Sequence, residues 1–158
     1  MPPYTKWTIK TWLARLLSGK PHFIIGGQDN PYMLRWYLFP RNPLFNIYLH
    51  KFLRDDDDRA LHDHPWWFLS FILKGKYAEI TESGLSVRRP WSMAFRRAIH
   101  RHRVELYGKP ERRDPCWTIV ITGSKVREWG FWCPKGFVPW EQFTDSRDAG
   151  SIGKGCGD

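Results

Sequence analysis

Apolar residues are concentrated in short segments between residue 32 and residue 122, and turn residues separate these segments. Aromatic and β-branched side chains are frequent in them, which is the composition of strands that pack against a core. The pattern predicts strands over residues 32–39, 44–54, 76–81, 85–89, 93–97, 100–107 and 116–122, in addition to the apolar run that follows residue 64. The first two strands flank the turn Pro40-Arg41-Asn42-Pro43 and are expected to form a hairpin. Many short strands with frequent turns are typical of a β-sandwich or β-barrel.

The first hydrophobic pattern, over residues 5–18, is helical instead. Apolar residues recur there at close to helical spacing, with Thr5 as the predicted N-cap and Gly19 as the predicted end. We expect this short amphipathic helix to pack on the outside of the β-domain. Attachment to a membrane interface is the alternative for a basic helix of this kind.

A chain of 158 residues has the length of one domain. We expect residues 1–30 to form the helix and lead-in, 31–144 the β-barrel, and 145–158 a flexible tail rich in Gly, Ser and charged residues. No apolar run approaches the ~20 residues that span a bilayer, so no membrane partner is predicted. Three cysteines without a C-x-x-C pair fit a reducing compartment and predict a cytoplasmic protein.

The formal net charge of +9 indicates an anionic partner. Basic residues cluster at 88–89, 96–97 and 101–103. A small anionic molecule is the favoured partner, and nucleic acid is the less favoured one, because no nucleic-acid-binding motif is recognisable.

Two histidines, His62 and His64, lie two residues apart at the start of the apolar run that ends at Lys74-Gly75. Residues i and i+2 of a strand point to the same face, so the two imidazoles would lie side by side while Asp63 points away. Imidazole is a common ligand of zinc, iron, copper and nickel. This spacing suits half of a metal site. The alternative is a pair of surface histidines near the acidic run 55–58, which we expect to be a solvated loop.

A carboxylate is predicted to join them. If Lys74-Gly75 is a two-residue hairpin turn, Ser70 pairs with Glu79, and Glu79 faces the same interior as the histidines. Glu79 would then be a fourth ligand or an acid/base group. A shift of one residue in register would instead leave it as an exposed strand carboxylate.

The His62-Asp63-His64 stretch, its apolar strand and its Gly turn resemble the first motif of the cupin superfamily. The segment from Pro90 to Leu106 offers the histidine of the second motif. Residues 32–143 more narrowly resemble small uncharacterised cupin-like proteins of bacteria and phages. The resemblance implies a double-stranded β-helix (jelly-roll) barrel and a metal site, without a known reaction. Cupins usually carry a glutamate about four residues after the second histidine, and Phe68 and Leu69 occupy that region here.

His100 and His102 share a face of the predicted strand 100–107, and the resemblance selects His102 as the third ligand. We therefore expect His62, His64 and His102 to bind one divalent metal, with Fe(II) favoured and Zn, Ni or Mn as alternatives. The expected catalytic residues are Glu79 and His100. The expected substrate contacts are Arg97, Trp66 and Ser70.

A three-histidine iron site resembles that of the thiol dioxygenase branch of the superfamily, which implies an oxygenase-type enzyme. One alternative is a metal-independent isomerase or epimerase of sugar phosphates or nucleotide sugars, with a histidine base. Another is a non-enzymatic module that binds a ligand or nucleic acid. A homodimer is also expected, because cupin barrels often pair through edge strands.

Overall fold

The computed structural model describes residues 7–56, 60–145, 151 and 153–157. Within these ranges the helices are α1 (Ile9–Leu17) and α2 (Trp140–Phe143). The strands are β1 (Phe23–Ile25), β2 (Met33–Tyr37), β3 (Asn46–Phe52), β4 (Leu61–His62), β5 (Phe68–Lys74), β6 (Tyr77–Thr81), β7 (Gly84–Arg88), β8 (Met93–Arg96), β9 (Arg103–Leu106), β10 (Gly108–Lys109), β11 (Arg112–Arg113), β12 (Cys116–Thr122), β13 (Gly130–Cys133) and β14 (Gly136–Pro139). No helix in this part of the chain is long and apolar enough to span a membrane.

Two antiparallel layers of strands face each other. The first is a six-stranded sheet in the order β1-β2-β3-β12-β5-β8. The second consists of the three-stranded sheets β14-β13-β4 and β7-β6-β9. These two sheets meet where His62 and His102 exchange backbone hydrogen bonds of 2.9 and 3.0 Å. The arrangement is the predicted all-β jelly roll, with α1 as its short N-terminal helix.

The strands of the large sheet alternate between buried and partly exposed residues, as the period of two requires. Their inward side chains pack at one end against β6 and β9, in a core of Ile72, Tyr77, Val104, Leu106 and Cys116. Burial of each of these large apolar side chains contributes about 1.5–3 kcal/mol. Between the layers a cavity of about 300 Å³ remains.

The predicted hairpin at Lys74-Gly75 is wrong. Strands β5 and β6 lie in different layers, and Glu79 pairs with Ser86 and Val104 instead of Ser70. Gly75 does make a turn, with φ of +80°, but the turn carries the chain from one layer to the other. A Cβ at Gly75 would lie 2.5 Å from the Pro115 carbonyl oxygen, so both the close approach and the positive φ require glycine.

The N-terminal helix begins later than predicted. Thr8 is the N-cap, its hydroxyl accepts from the Thr11 backbone N–H, and the predicted cap Thr5 lies outside the described residues. Gly19 follows the last turn with φ of +70°, as predicted. The helix packs on the outside of the large sheet, where the Trp12 indole donates to the Tyr37 carbonyl over 2.8 Å.

The C-terminal segment differs from the prediction in two ways. Cys133 and Cys156 form a disulfide, so the expectation of three unpaired cysteines is wrong. Residues 153–157 are also attached to the domain, because the backbone N–H groups of Gly153 and Gly155 donate to the Phe143 carbonyl. The expected flexible tail does not hold for these residues. The rest of the predicted tail, 146–150, 152 and 158, lies outside the described residues.

Candidate metal centre in the cavity

The cavity brings together the histidines that the sequence singled out. His62 and His102 are directly opposed across the bridge between the two small sheets, so both imidazoles point to the same side. Their ring centroids are 4.9 Å apart. His64 follows β4, and its backbone N–H donates to the Ala98 carbonyl. The Nε2 atoms of His64 and His102 approach to 2.9 Å.

One ligand atom from each of these three histidines lies within 4.8 Å of the others, a geometry that could hold a metal ion. All three residues line the cavity, so a ligand bound there could reach them. The predicted grouping of His62, His64 and His102 is therefore present in space. The grouping was predicted from a regular strand that contains both His62 and His64. In the structure β4 ends at His62, so His64 lies just after the strand.

Glu79 is buried behind His102. Its Oε1 lies 2.9 Å from Nδ1 of His102 and 3.1 Å from Nε2 of His100. Arg96 binds both carboxylate oxygens, with Nε 3.0 Å from Oε1 and Nη2 2.6 Å from Oε2. An Nδ1–H bonded to a carboxylate leaves the lone pair on Nε2 of His102, which faces His64.

His62 has a carboxylate behind it as well. Its Nδ1 lies 2.9 Å from Oδ2 of Asp56, a close contact without hydrogen-bond geometry, so the interaction is mainly electrostatic. This leaves Nε2 of His62 for a ligand. The acidic run 55–58 was predicted to be a solvated loop, which is wrong for Asp55 and Asp56. Asp55 accepts from the Leu106 backbone N–H over 2.7 Å and pairs with Arg113.

Asp63 points away from the histidines, as predicted. Its carboxylate is fully buried and accepts from the Gly130 backbone N–H and the Trp132 indole, each over 3.0 Å, and from Arg127. This carboxylate joins β4 to β13. Asp63 therefore fixes the backbone between the two histidines without acting as a ligand.

Burial sets the charge state of the cluster. It lowers the pKa of His64 well below 6.5 and that of His102 to about 4, although the hydrogen bond that His102 donates to Glu79 opposes the shift of His102. Burial also opposes protonation of His62, but Asp56 outweighs it and raises the pKa of His62 above 6.5. The pKa of Glu79 is strongly lowered, because hydrogen bonds from His100, His102 and Arg96 outweigh its burial. His64 and His102 are therefore neutral at pH 7, the form that binds metals.

A second group of ligand atoms overlaps the first. Glu79, His100 and His102 also lie close enough together to hold an ion. In this group, however, Arg96 already neutralises the Glu79 carboxylate. His100 is partly exposed and contacts Glu79 instead of His62 or His64.

Two of the three predicted substrate contacts line the cavity. Trp66 is partly buried in its wall, and Ser70 is 5% exposed. Trp67 points outward and is 39% exposed, since adjacent residues cannot both face inward. Arg97 is exposed and does not line the cavity, so this assignment is wrong. Its neighbour Arg96 has the inward parity of β8 and faces Glu79.

The sequence reasoning missed the cavity residues Asp56, Arg35 and His50, and it also missed Arg96, which binds Glu79. Arg35 and His50 form a directly opposed pair on β2 and β3, with Nε of Arg35 donating to Nε2 of His50 over 2.9 Å. The signal for this pair was present in the sequence. Both residues interrupt apolar strands, and counting the register of the predicted 32–39/44–54 hairpin would have placed them opposite each other.

Solved structures share this architecture. A conserved protein with a double-stranded β-helix domain from Klebsiella pneumoniae aligns over 68% of this chain and 90% of its own, with a TM-score of 0.50 and 9% identity. A putative mannose-6-phosphate isomerase from Ralstonia eutropha aligns over 69% and 94%, with a TM-score of 0.51 and 18% identity. A sugar phosphate isomerase of the cupin superfamily from Silicibacter pomeroyi aligns over 68% and 74%, with a TM-score of 0.47 and 12% identity.

The chain has the cupin fold. No protein-family model and no curated protein matches the sequence. Structural similarity at identities this low shows the fold and leaves the reaction open. The narrower resemblance to small bacterial and phage cupin-like proteins stays a prediction.

Proposed function

We propose that this cupin binds one divalent metal ion through His62, His64 and His102. The observation that carries the proposal is the approach of the two Nε2 atoms of His64 and His102 to 2.9 Å. Two nitrogens that each lie ~2.0–2.1 Å from one metal are separated by roughly 2.9–3.4 Å at coordination angles between 90° and the tetrahedral value. The third imidazole is that of His62, which offers a ring nitrogen within 4.8 Å of the ligand atoms of the other two histidines.

The surroundings of the cluster fit a metal better than a structural histidine pair. Glu79 and Asp56 lie behind the Nδ1 atoms of two of the histidines, the usual position of carboxylates that orient metal-bound imidazoles. Burial keeps His64 and His102 neutral, so their lone pairs are available at pH 7. A site that only stabilised the fold would not need three imidazoles facing a cavity.

We further propose that the site is catalytic, in an oxygenase-type enzyme that uses Fe(II) and a small anionic substrate. When bound, the metal supplies a Lewis acid with coordination positions open to ligands. The protein provides three imidazole nitrogens, and Glu79 fixes the tautomer of His102. His100 lies at the edge of the cluster, where it can exchange a proton with a bound substrate while Glu79 holds its ring. The apolar cavity walls exclude water.

Metal analysis of two single variants tests the ligand set. His64 belongs only to the three-histidine group, and His100 belongs only to the group that contains Glu79. We expect His64→Ala to lose most of the metal found in wild type, and His100→Ala to keep a stoichiometric ion, both measured by elemental analysis after equilibrium dialysis. The reverse pattern would contradict the proposed ligands.

Oxygen consumption tests the reaction class. After anaerobic loading with Fe(II), we expect substrate-dependent oxygen uptake in a panel of thiols, nucleotides and keto acids. A protein that binds iron but turns over none of them would count against an oxygenase. A protein that binds no metal at all would favour the metal-independent isomerase, and one structural neighbour is a putative mannose-6-phosphate isomerase.

The binding-module alternative predicts salt-dependent affinity for DNA or RNA. Nonspecific binding has dissociation constants of ~10⁻⁴ to 10⁻⁶ M at physiological salt, so only tighter binding would support this alternative.

A further inference from the structure

The wall of the cavity that faces the histidines carries its own polar row. Arg35, His50 and Thr118 are directly opposed on the neighbouring strands β2, β3 and β12, so they share the inward face. All three line the cavity. They lie in the large sheet, whereas the metal-ligand candidates lie on or beside the small sheets.

Arg35 is held in place but is not neutralised. Its Nε donates to Nε2 of His50, and its guanidinium lies over the Tyr48 ring, 4.7 Å from the centroid. Among the described residues, no carboxylate lies within ion-pair distance of Arg35. The carboxylates nearest the cavity have other cationic or imidazole neighbours, since Glu79 pairs with Arg96 and Asp56 lies beside His62.

The contact with His50 fixes the orientation of both groups. Nε2 of His50 accepts from Arg35, so that ring is neutral and carries its proton on Nδ1. Burial and the adjacent guanidinium lower the pKa of His50 well below 6.5, which keeps the ring neutral. Nε of Arg35 is thereby occupied, while its terminal Nη atoms remain as donors for a ligand.

A hydroxyl in the same row has no partner. Thr118 is 1% exposed, and its Oγ1 makes no hydrogen bond within the described part of the chain. A buried hydroxyl in this state is destabilising unless a ligand or water satisfies it. The row therefore offers a fixed cation and an unsatisfied hydroxyl to a bound molecule.

We propose that Arg35, oriented by His50, is the anchor for the carboxylate of a small ligand whose apolar body lies in the cavity. The other walls are mainly aromatic, including Phe52, Trp66 and Phe68. A volume of about 300 Å³ is at the lower end of the range for ligand pockets and admits a molecule of about the size of benzoate.

The charged residues of the lining are Arg35, Arg54 and Asp56, so their formal charges sum to +1 and match a single negative charge. A phosphate monoester carries about −1.5 to −2 charges at pH 7, and part of that charge would be left uncompensated between apolar walls. Arg35 and the three histidines line the same cavity. A carboxylate on Arg35 would therefore bring the rest of the ligand towards those histidines.

The test uses benzoate as the probe and the full chain in the presence of a metal chelator. Binding is followed by tryptophan fluorescence and calorimetry for wild type, Arg35→Gln and Arg35→Lys. Arg89→Gln is the matched control, because Arg89 is exposed, lies outside the cavity lining and loses the same charge. Benzamide and phenyl phosphate are measured on wild type as the neutral and the phosphorylated analogues.

We expect Arg35→Gln to weaken benzoate binding about 10- to 100-fold, the usual loss when a charged hydrogen-bond partner is removed. Arg35→Lys should fall between, since it keeps the charge without the planar fork. Arg89→Gln should bind as wild type does, and benzamide and phenyl phosphate should bind more weakly than benzoate.

Three outcomes would overturn the proposal: equal affinities for benzoate and benzamide, tighter binding of phenyl phosphate, or equal affinities of Arg35→Gln and Arg89→Gln. Absence of benzoate binding to wild type would overturn it as well. The comparison of benzoate with benzamide needs no variant, so a misfolded Arg35→Gln protein would not prevent the test. Because the chelator removes metal, benzoate binding tests the Arg35 subsite alone. An error in the proposed metal ligands would appear only in the metal analysis.

Discussion

Replacement of Glu79 by glutamine separates the role of this carboxylate in the fold from its role at the metal centre. Glu79 is 2% exposed and accepts from both nitrogens of the Arg96 guanidinium as well as from His100 and His102. Glutamine keeps the shape but removes the charge. It leaves the guanidinium of Arg96 without its anion and can accept from only some of the donors.

Breaking a buried ion pair by removal of one partner costs about 3–5 kcal/mol. The Arg96 side chain is still 23% exposed, so water compensates in part. We expect Glu79→Gln to lower the free energy of unfolding of the metal-free protein by about 2–4 kcal/mol. Loss of a carboxylate behind a metal ligand typically costs 10–100-fold in metal affinity, so we expect a weaker but stoichiometric site.

Urea unfolding in the presence of chelator gives the first quantity, and metal titration by calorimetry gives the second. Glu82→Gln is the matched control, since Glu82 also pairs with an arginine, Arg101, but its side chain is 64% exposed. An exposed pair contributes about 0–1 kcal/mol. Equal destabilisation by both substitutions would refute the argument from burial. Complete loss of metal in Glu79→Gln would show that the carboxylate is itself a ligand.

Two further predictions concern the fold. The metal-free protein should lose stability as the pH falls from 6.5 towards 4, because the pKa of His102 is near 4 in the folded state and 6.5 in the unfolded chain, which therefore binds the proton more readily. This group alone contributes about 3 kcal/mol over that window, and equal urea midpoints at pH 7 and pH 5 would contradict it. Cys156→Ser should destabilise the protein by about 2–4 kcal/mol, since it removes the Cys133–Cys156 disulfide, which joins residues 23 positions apart in the chain. A reducing agent should lower the melting temperature of wild type to that of the variant, and insensitivity of wild type would show that the bond does not stabilise the fold.

The sequence predicted the parts of the fold that depend on local pattern. Strand β12 has the predicted bounds, 116–122, and the β2–β3 hairpin forms around the predicted turn at Pro40-Arg41-Asn42-Pro43. These segments combine apolar density with proline and asparagine at the turn, so local preference and tertiary packing agree. Asn42 closes the turn by accepting from the Leu44 and Phe45 backbone N–H groups.

Pairing between distant segments was beyond such reasoning. The Lys74-Gly75 turn has the composition of a hairpin, but tertiary packing sends β5 and β6 into different layers. Glu79 is nevertheless buried beside the histidines, and its carboxylate contacts His100 and His102. Its position beside the histidines was predicted from a register that is wrong.

The histidine cluster was predictable only in part. The spacing of His62 and His64 is a local signal, and His102 was selected by resemblance to a cupin motif. The carboxylate behind His62 was not foreseen, because Asp56 lies in a run of four acidic residues that has the composition of a solvated loop. The disulfide was missed for a similar reason, since only the folded chain brings Cys133 and Cys156 together.

The most direct test of the metal centre is an anomalous difference map from a crystal soaked with a divalent metal. We predict one strong peak in the cavity, ~2.0–2.2 Å from a ring nitrogen of each of His62, His64 and His102. Glu79 should remain bound to Arg96 and should not contact the metal. A peak coordinated by Glu79 and His100, or a cavity without any peak at full soaking, would contradict the account.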